Sequence, residues 1–285
     1  AFSLTIRRVA LWSITIITQV VFLPKILPVE TIGIFNIANS ILIFFIFFSD
    51  VGLAAALIRK KDLHPDDLKT TFTIQECLAL VIAISLWIFA PSLAGIYHLD
   101  SSSTWLIRAL AFGFFLTSLK VVPSVILERE LNFGKLVWVE IVETIIFNGL
   151  LIYLSLRGFG IDGYTFSVLA RGISGLILIY IVAPWRISLG FSKLAAQELL
   201  SFGVPFQLNS LLALLKDRLV PLVVAGIVGP VGFGYIGQGQ RIAFIPLEVM
   251  NIATRIVFPT YSRLQHDKEN LRKALEYSLF ATALT

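Results

Sequence analysis

The sequence predicts an all-α fold, a polytopic membrane helical bundle, and three observations predict it. Hydrophobic residues make up 57% of the 285 residues, where soluble domains average ~45–50%. Mean hydropathy is +0.87. The apolar residues fall in runs separated by short polar breaks, each run long enough for a hydrocarbon core that takes ~20 helical residues to cross. Lipid offers no partner to a peptide group, so spans that satisfy their own backbone, helices, are required.

The runs fall at about 9–28, 32–58, 70–97, 104–127, 134–156, 162–184, 199–228 and 232–261, which makes eight expected spans. A ninth begins near Leu271 and continues to Thr285, and the chain opens at Ala1 without an initiator Met, so it reads as a fragment. The breaks carry Pro, Gly and charge: Pro28-Val29-Glu30, Arg59-Lys60-Lys61-Asp62, Arg157-Gly158-Phe159-Gly160 and Gly229-Pro230.

Lys and Arg in alternate loops set the orientation. One set of loops holds 14 of the 23 basic residues, from Arg7 and Arg8 through Lys61 and Lys193 to Lys273; the other holds 2, Lys25 and Arg157. By the positive-inside rule the N-terminus and the 59–69 loop are cytoplasmic. The same distribution explains a net charge of +5 without nucleic acid as a partner.

An internal repeat is also visible. Residues 31–41 can be laid on 232–242 at an offset of 201 residues, which puts Gly33 on Gly234, and Asp66-Asp67-Leu68-Lys69 corresponds to Glu269-Asn270-Leu271-Arg272. Six spans lie between the copies. An even number preserves orientation, so the expected plan is two parallel six-helix lobes, the second truncated: residues 1–190 as the first lobe, residues 191–285 as spans seven, eight and the beginning of nine.

Four stretches resemble polysaccharide flippases of the multidrug/oligosaccharidyl-lipid/polysaccharide exporter superfamily, in particular the Wzx-type O-antigen and exopolysaccharide group. They are residues 48–61 (Phe48-Ser49-Asp50-Val51-Gly52 through Arg59-Lys60-Lys61), 127–133 (Leu127-Glu128-Arg129-Glu130), 200–206 (Leu200-Ser201-Phe202-Gly203-Val204-Pro205-Phe206) and 234–263 (Gly234-Tyr235 through Phe258-Pro259 to Arg263). The resemblance implies a V-shaped two-lobe bundle carrying an undecaprenyl-pyrophosphate-linked oligosaccharide across the bacterial inner membrane by alternating access. Polysaccharide polymerase and glycosyltransferases would be its partners beside membrane lipids.

Charges inside a bilayer cost roughly 2.5–3.5 kcal/mol each on insertion scales, so those present normally face a cavity or a partner. Span seven carries Lys216, Asp217 and Arg218, and span eight carries Arg241, Glu248 and Arg255. Spacings of seven put the last three on one helical face, with Gln238 and Asn251 close by. Such a seam can hold a pyrophosphate through arginine forks, or it can join lobes through internal pairs. In the first half Arg171 lies mid-span and Glu140 and Glu143 lie near one turn apart. They form a salt bridge between neighbouring helices, or Arg171 is a second phosphate contact and a glutamate is a coupling-ion site. Gln207 and Asn209 can meet sugar hydroxyls or bond between helices. Asp50, Glu76, Arg108 and Lys120, nearer span ends, are expected in packing or interface roles.

An enzyme is not expected. His64, His98 and His266 stand in separate loops without metal-ligand spacing, Cys77 has no second cysteine, and no cofactor or metal is predicted. A membrane-embedded polymerase would need a long outer loop that is not seen. A cation-coupled drug exporter or a lipid II flippase of the same superfamily are the nearer rivals; span one offers Gln19 and no carboxylate, against the exporter.

Overall fold

The computed structural model describes residues 13–49, 51–209, 211, 215–244 and 246–247 and positions 269, 272, 275, 276 and 279; at 216 and 218 it describes the backbone alone. The elements are α1 (Ser13–Ile26, with a π-helical turn over Ile17–Phe22), α2 (Val29–Ser49), α3 (Leu53–Arg59), α4 (Pro65–Ile96), α5 (Ser101–Ser118), α6 (Val121–Arg129), α7 (Phe133–Leu156), α8 (Ile161–Val182), α9 (Lys193–Asn209), a π-helical turn Leu215–Leu219, and α10 (Val220–Ala243). The chain divides into two compact units, Ala1–Tyr235 and Ile236–Thr285.

Five of these helices are long and apolar enough to cross a membrane, or six if α5 and α6 count as one span bent by 42°. The protein is thus a multi-pass, all-α membrane protein. Their faces are sorted by burial rather than polarity. On α7 the buried positions include Leu136, Val139, Glu143, Phe147 and Leu151, one stripe at helical spacing, while Trp138, Ile145 and Tyr153 on the other faces are exposed apolar groups. An outward face that is itself apolar belongs to lipid.

The core of the first unit is built by α2, α4, α5, α7 and α8. Leu106 and Leu110 of α5, Ile32 and Ile37 of α2 and Leu151 of α7 pack together, and the fully buried Tyr164 of α8 stacks on Phe35 at 4.2 Å between centroids. Small residues let α5 and α8 approach: a side chain at Gly172 would meet Leu116 at 3.2 Å, and one at Gly113 would meet Val168 at 3.0 Å.

Two expected spans are interrupted, and one expected boundary between spans falls inside a helix. Span two bends at Gly52, whose φ of 74° is a left-handed conformation, so α2 and α3 are separate helices. Span four breaks between Ser118 and Val121. The boundary expected at Gly229-Pro230 is a break inside α10, where Gly229 takes φ 69° and ψ −178° and the helix restarts at the proline, which needs no N–H in a first turn.

Candidate functional site

Three of the four stretches that carry the resemblance converge around α3, at its start and at its end. A helix of seven residues leaves its last carbonyls unsatisfied, and here the Arg129 guanidinium of α6 supplies donors: it bonds the carbonyls of Leu57 at 2.6 Å, Lys61 at 3.0 Å, Ile58 at 3.2 Å and also that of Lys60. On the other side Gly52 meets Gly203 of α9 backbone to backbone, and a side chain on either would collide with the other's main chain. Arg59 lies over the Phe202 ring, 4.3 Å from its centroid.

The Lys60 ammonium completes this junction. It bridges Asp67 at the start of α4, at 2.9 Å, and Glu198 of α9, at 2.8 Å. Asp67 is 2% exposed, and its other oxygen accepts the His64 N–H at 2.9 Å, half of a capping box for α4. The hydrogen bond to Glu198, with Asp67 beside it, holds Lys60 above its ordinary pKa of 10.5. The connection from α8 to α9 is strapped along α4 as well, by Gly190 N–H to Thr73 and Ser192 N–H to Thr70, each at 3.0 Å. A cavity of about 340 Å³ opens here, lined by Arg59, Lys60, Lys61, Glu198, Ser201 and Phe202.

A second charged cluster lies where span four breaks. Lys120, between α5 and α6, is held by the buried Glu143 of α7 at 2.6 Å, and Arg171 of α8 approaches the same carboxylate at 3.7 Å. Sequence position had put Lys120 near a span end in a packing or interface role; the break turns its stem inward, and its side chain is 13% exposed. Gly175 makes room for the carboxylate, since a Cβ there would collide with it. The Tyr180 hydroxyl donates to the Leu119 carbonyl freed by the break, at 3.0 Å, and Ser118 donates to Glu76 at 2.9 Å. A cavity of about 280 Å³ adjoins the cluster, lined in part by Glu128, Glu140 and Glu143 with Lys120. With Lys120 and Arg171 on its carboxylate, Glu143 is an ion-pair hub, and no three acidic groups here are arranged to hold a metal ion among the described residues.

The other expected site residues are dispersed. Arg171 is 53% exposed, its guanidinium 5.9 Å from the Phe147 centroid. Gln207 spends its amide on the Phe47 carbonyl at 3.1 Å, the interhelical alternative. Asn209 and Asp217 are exposed; Gln238 and Arg241 are half-buried on α10. The side chains of Lys216 and Arg218, and all of Glu248, Asn251 and Arg255, lie outside the described residues.

The family described as "Polysaccharide biosynthesis protein" matches residues 22–285. The chain belongs to that family. Among relatives of the polysaccharide biosynthesis family, the succinoglycan biosynthesis transport protein ExoT of Rhizobium meliloti is 28% identical over 271 residues, 92% of this chain and 53% of the relative. The teichuronic acid biosynthesis protein TuaB of Bacillus subtilis is 26% identical over 231 residues, 79% of this chain and 47% of the relative. The chain spans about half the length of the curated relatives it matches. A solved inward-facing multidrug resistance MATE family transporter of the MOP superfamily shares the fold, with a TM-score of 0.62 at 18% identity over 95% of this chain and 66% of that one.

Within this family frame, sequence reasoning missed Lys60, Lys120 and Arg129 as pairing residues. Arg129 was signalled by its stretch, Lys60 only as a loop charge. Nothing in the sequence singles out Gly175.

Proposed function

We propose that the protein is a flippase of surface polysaccharide synthesis, moving an undecaprenyl-pyrophosphate-linked oligosaccharide from the cytoplasmic to the periplasmic leaflet of a bacterial inner membrane by alternating access. Family membership and the MATE-like fold support a transporter. The observation that carries the two-lobe reading is the crossing of α2 and α10 at Gly33 and Gly234, positions equivalent under the 201-residue offset. With the N-terminus cytoplasmic, both helix starts are periplasmic, so this contact closes the outer ends of spans two and eight.

In this reading residues 1–190 form one lobe and the second begins at 191. Arg241 and Arg255, with Lys216 or Arg218, hold the pyrophosphate, because arginine forks match phosphate oxygens, and Arg171 approaches it from the first lobe. Glu248 keeps the seam from binding too tightly for release. Gln207, Asn209, Gln238 and Asn251 serve sugar hydroxyls, Asp217 adds polarity to span seven, and Glu140 or Glu143 binds a coupling ion. The polymerase and glycosyltransferases act beside it.

Export tests this. Arg241→Ala and Arg255→Ala abolish surface polysaccharide at normal protein level while the lipid-linked precursor accumulates, and Arg→Lys at either site keeps part of the activity. Normal export by both alanine variants would remove the phosphate role.

A further inference from the structure

Arg108 points to a site unconnected with the seam. It stands on α5 between two tryptophans, its guanidinium 5.0 Å from the Trp105 centroid and 5.5 Å from that of Trp87 on α4. Both indoles are exposed, Trp105 by 58% and Trp87 by 44%, on helices whose neighbouring outward groups are Ile84, Ile88 and Phe112. The surroundings are those of a lipid-facing surface. Only Nε of the guanidinium has a protein acceptor, the Trp87 carbonyl at 3.4 Å. Both Nη groups, and both indole N–H groups, donate to no protein acceptor among the described residues.

Depth gives the cluster its meaning. Arg108 is seven residues inside α5 and Trp105 four, so at 1.5 Å per residue they lie about 10 Å and about 6 Å below the helix start. Trp87 is nine residues before the end of α4, at about 13 Å. Near the ends of membrane spans tryptophans collect, and an arginine stem can reach back toward the headgroups from such a position. Trp87, Trp105 and Arg108 themselves present only donors, and the rings hold the cation by its faces while leaving its edge open. A donor-only, cationic cluster within about two to three turns of the ends of two apolar helices fits an acceptor-only anion.

We propose that Trp87, Arg108 and Trp105 form a binding site for the phosphodiester of an anionic phospholipid, in the leaflet that borders the 97–100 loop. Its naming as the periplasmic leaflet rests on the proposed orientation; the binding does not.

The test is native mass spectrometry of the protein released from nanodiscs of phosphatidylethanolamine and phosphatidylglycerol. The wild type retains phosphatidylglycerol, Arg108→Gln retains at least fivefold less, Arg108→Lys is intermediate, and melting temperatures match. Trp105→Leu, a change at an exposed position, weakens retention more than Trp105→Phe, which keeps the ring over the guanidinium and loses only the N–H; this keeps the test sound if the Arg108 variants fold poorly. Equal retention by the wild type, Arg108→Gln and Trp105→Leu would overturn the site. So would displacement of the phospholipid by equimolar undecaprenyl pyrophosphate, which would make the cluster a substrate contact.

Discussion

Gly33 and Gly234 touch through their main chains: a Cβ on Gly33 would lie 3.0 Å from the Gly234 nitrogen and collide with the Pro230 carbonyl, and one on Gly234 would lie 3.3 Å from the Gly33 nitrogen and collide with the Val29 carbonyl. Each residue meets its own counterpart under the 201-residue offset, which is what a local twofold axis between copies of a segment produces. In the proposed two-lobe plan these glycines are the places where the two copies would cross.

Gly33→Ala and Gly234→Ala should each cost roughly 1–3 kcal/mol by overpacking a backbone crossing that has no flexible side chain to yield. Gly149→Ala on α7 is the control, because a Cβ there meets nothing and the alanine improves helix propensity. Thermal unfolding in detergent reads all three. Equal melting temperatures across the set would mean that the crossing is looser than described.

At the junction, Asp67→Asn should destabilise by about 1.5–3 kcal/mol, since a buried carboxylate gives up its charge-assisted bond to Lys60 and weakens the cap of α4. Glu198, 55% exposed, should cost no more than about 1 kcal/mol as Glu198→Gln. The two variants ranking the other way in chemical denaturation would contradict the geometry.

The pH dependence of Lys60 follows from the sign of its shift. Its folded pKa lies above 10.5, so the charged form is favoured by folding and its stabilisation is fully present below that value. It is lost as pH rises through the folded pKa. The stability difference between wild type and Lys60→Met should therefore be flat from pH 6 to 9 and shrink only above about 10.5; a difference that shrinks between pH 6 and 9 would place the effect elsewhere.

Glu143→Gln should be the more damaging change in the second cluster, by roughly 3–5 kcal/mol, because it strands the buried Lys120 ammonium without its partner. Lys120→Met together with Glu143→Gln should recover most of that loss, since a neutral pair leaves no unpaired charge. Export separates the roles. A stable double variant that transports normally makes Glu143 a packing hub, and a stable one that does not transport makes it a coupling residue.

The bundle was legible because lipid imposes one requirement on every span, and composition reports it directly. The charge clusters were legible in type but not in pairing. Glu143 and Arg171 stood out as charges within spans, yet the stronger partner of Glu143 is Lys120, which sequence position put near a span end. Its inward turn follows from the break between Ser118 and Val121, and nothing local to those residues announces a 42° bend. Arg129 is similar: its stretch marked it, but its task, capping α3, depends on Gly52 ending α2 early. Non-local pairing of this kind is decided by packing, after the spans exist.

Orientation is the last expectation to test, and the structure sharpens it. Of the 14 basic residues in one set of loops, Lys60 and Arg129 have local tasks in the junction, so their placement says less about the membrane; the remaining 12 still stand against 2. Positive-inside bias therefore survives without them. With the exposed Cys77 first replaced by serine, cysteines at Lys61 and Lys193 should resist an impermeant maleimide on intact cells and react after permeabilisation, while one at Ser101 should react in both. All three positions are exposed, so protection reports the membrane rather than the fold. Labelling of Lys61→Cys or Lys193→Cys in intact cells with Ser101→Cys spared would invert the topology. It would also move the Gly33 and Gly234 crossing from the periplasmic to the cytoplasmic side of the membrane.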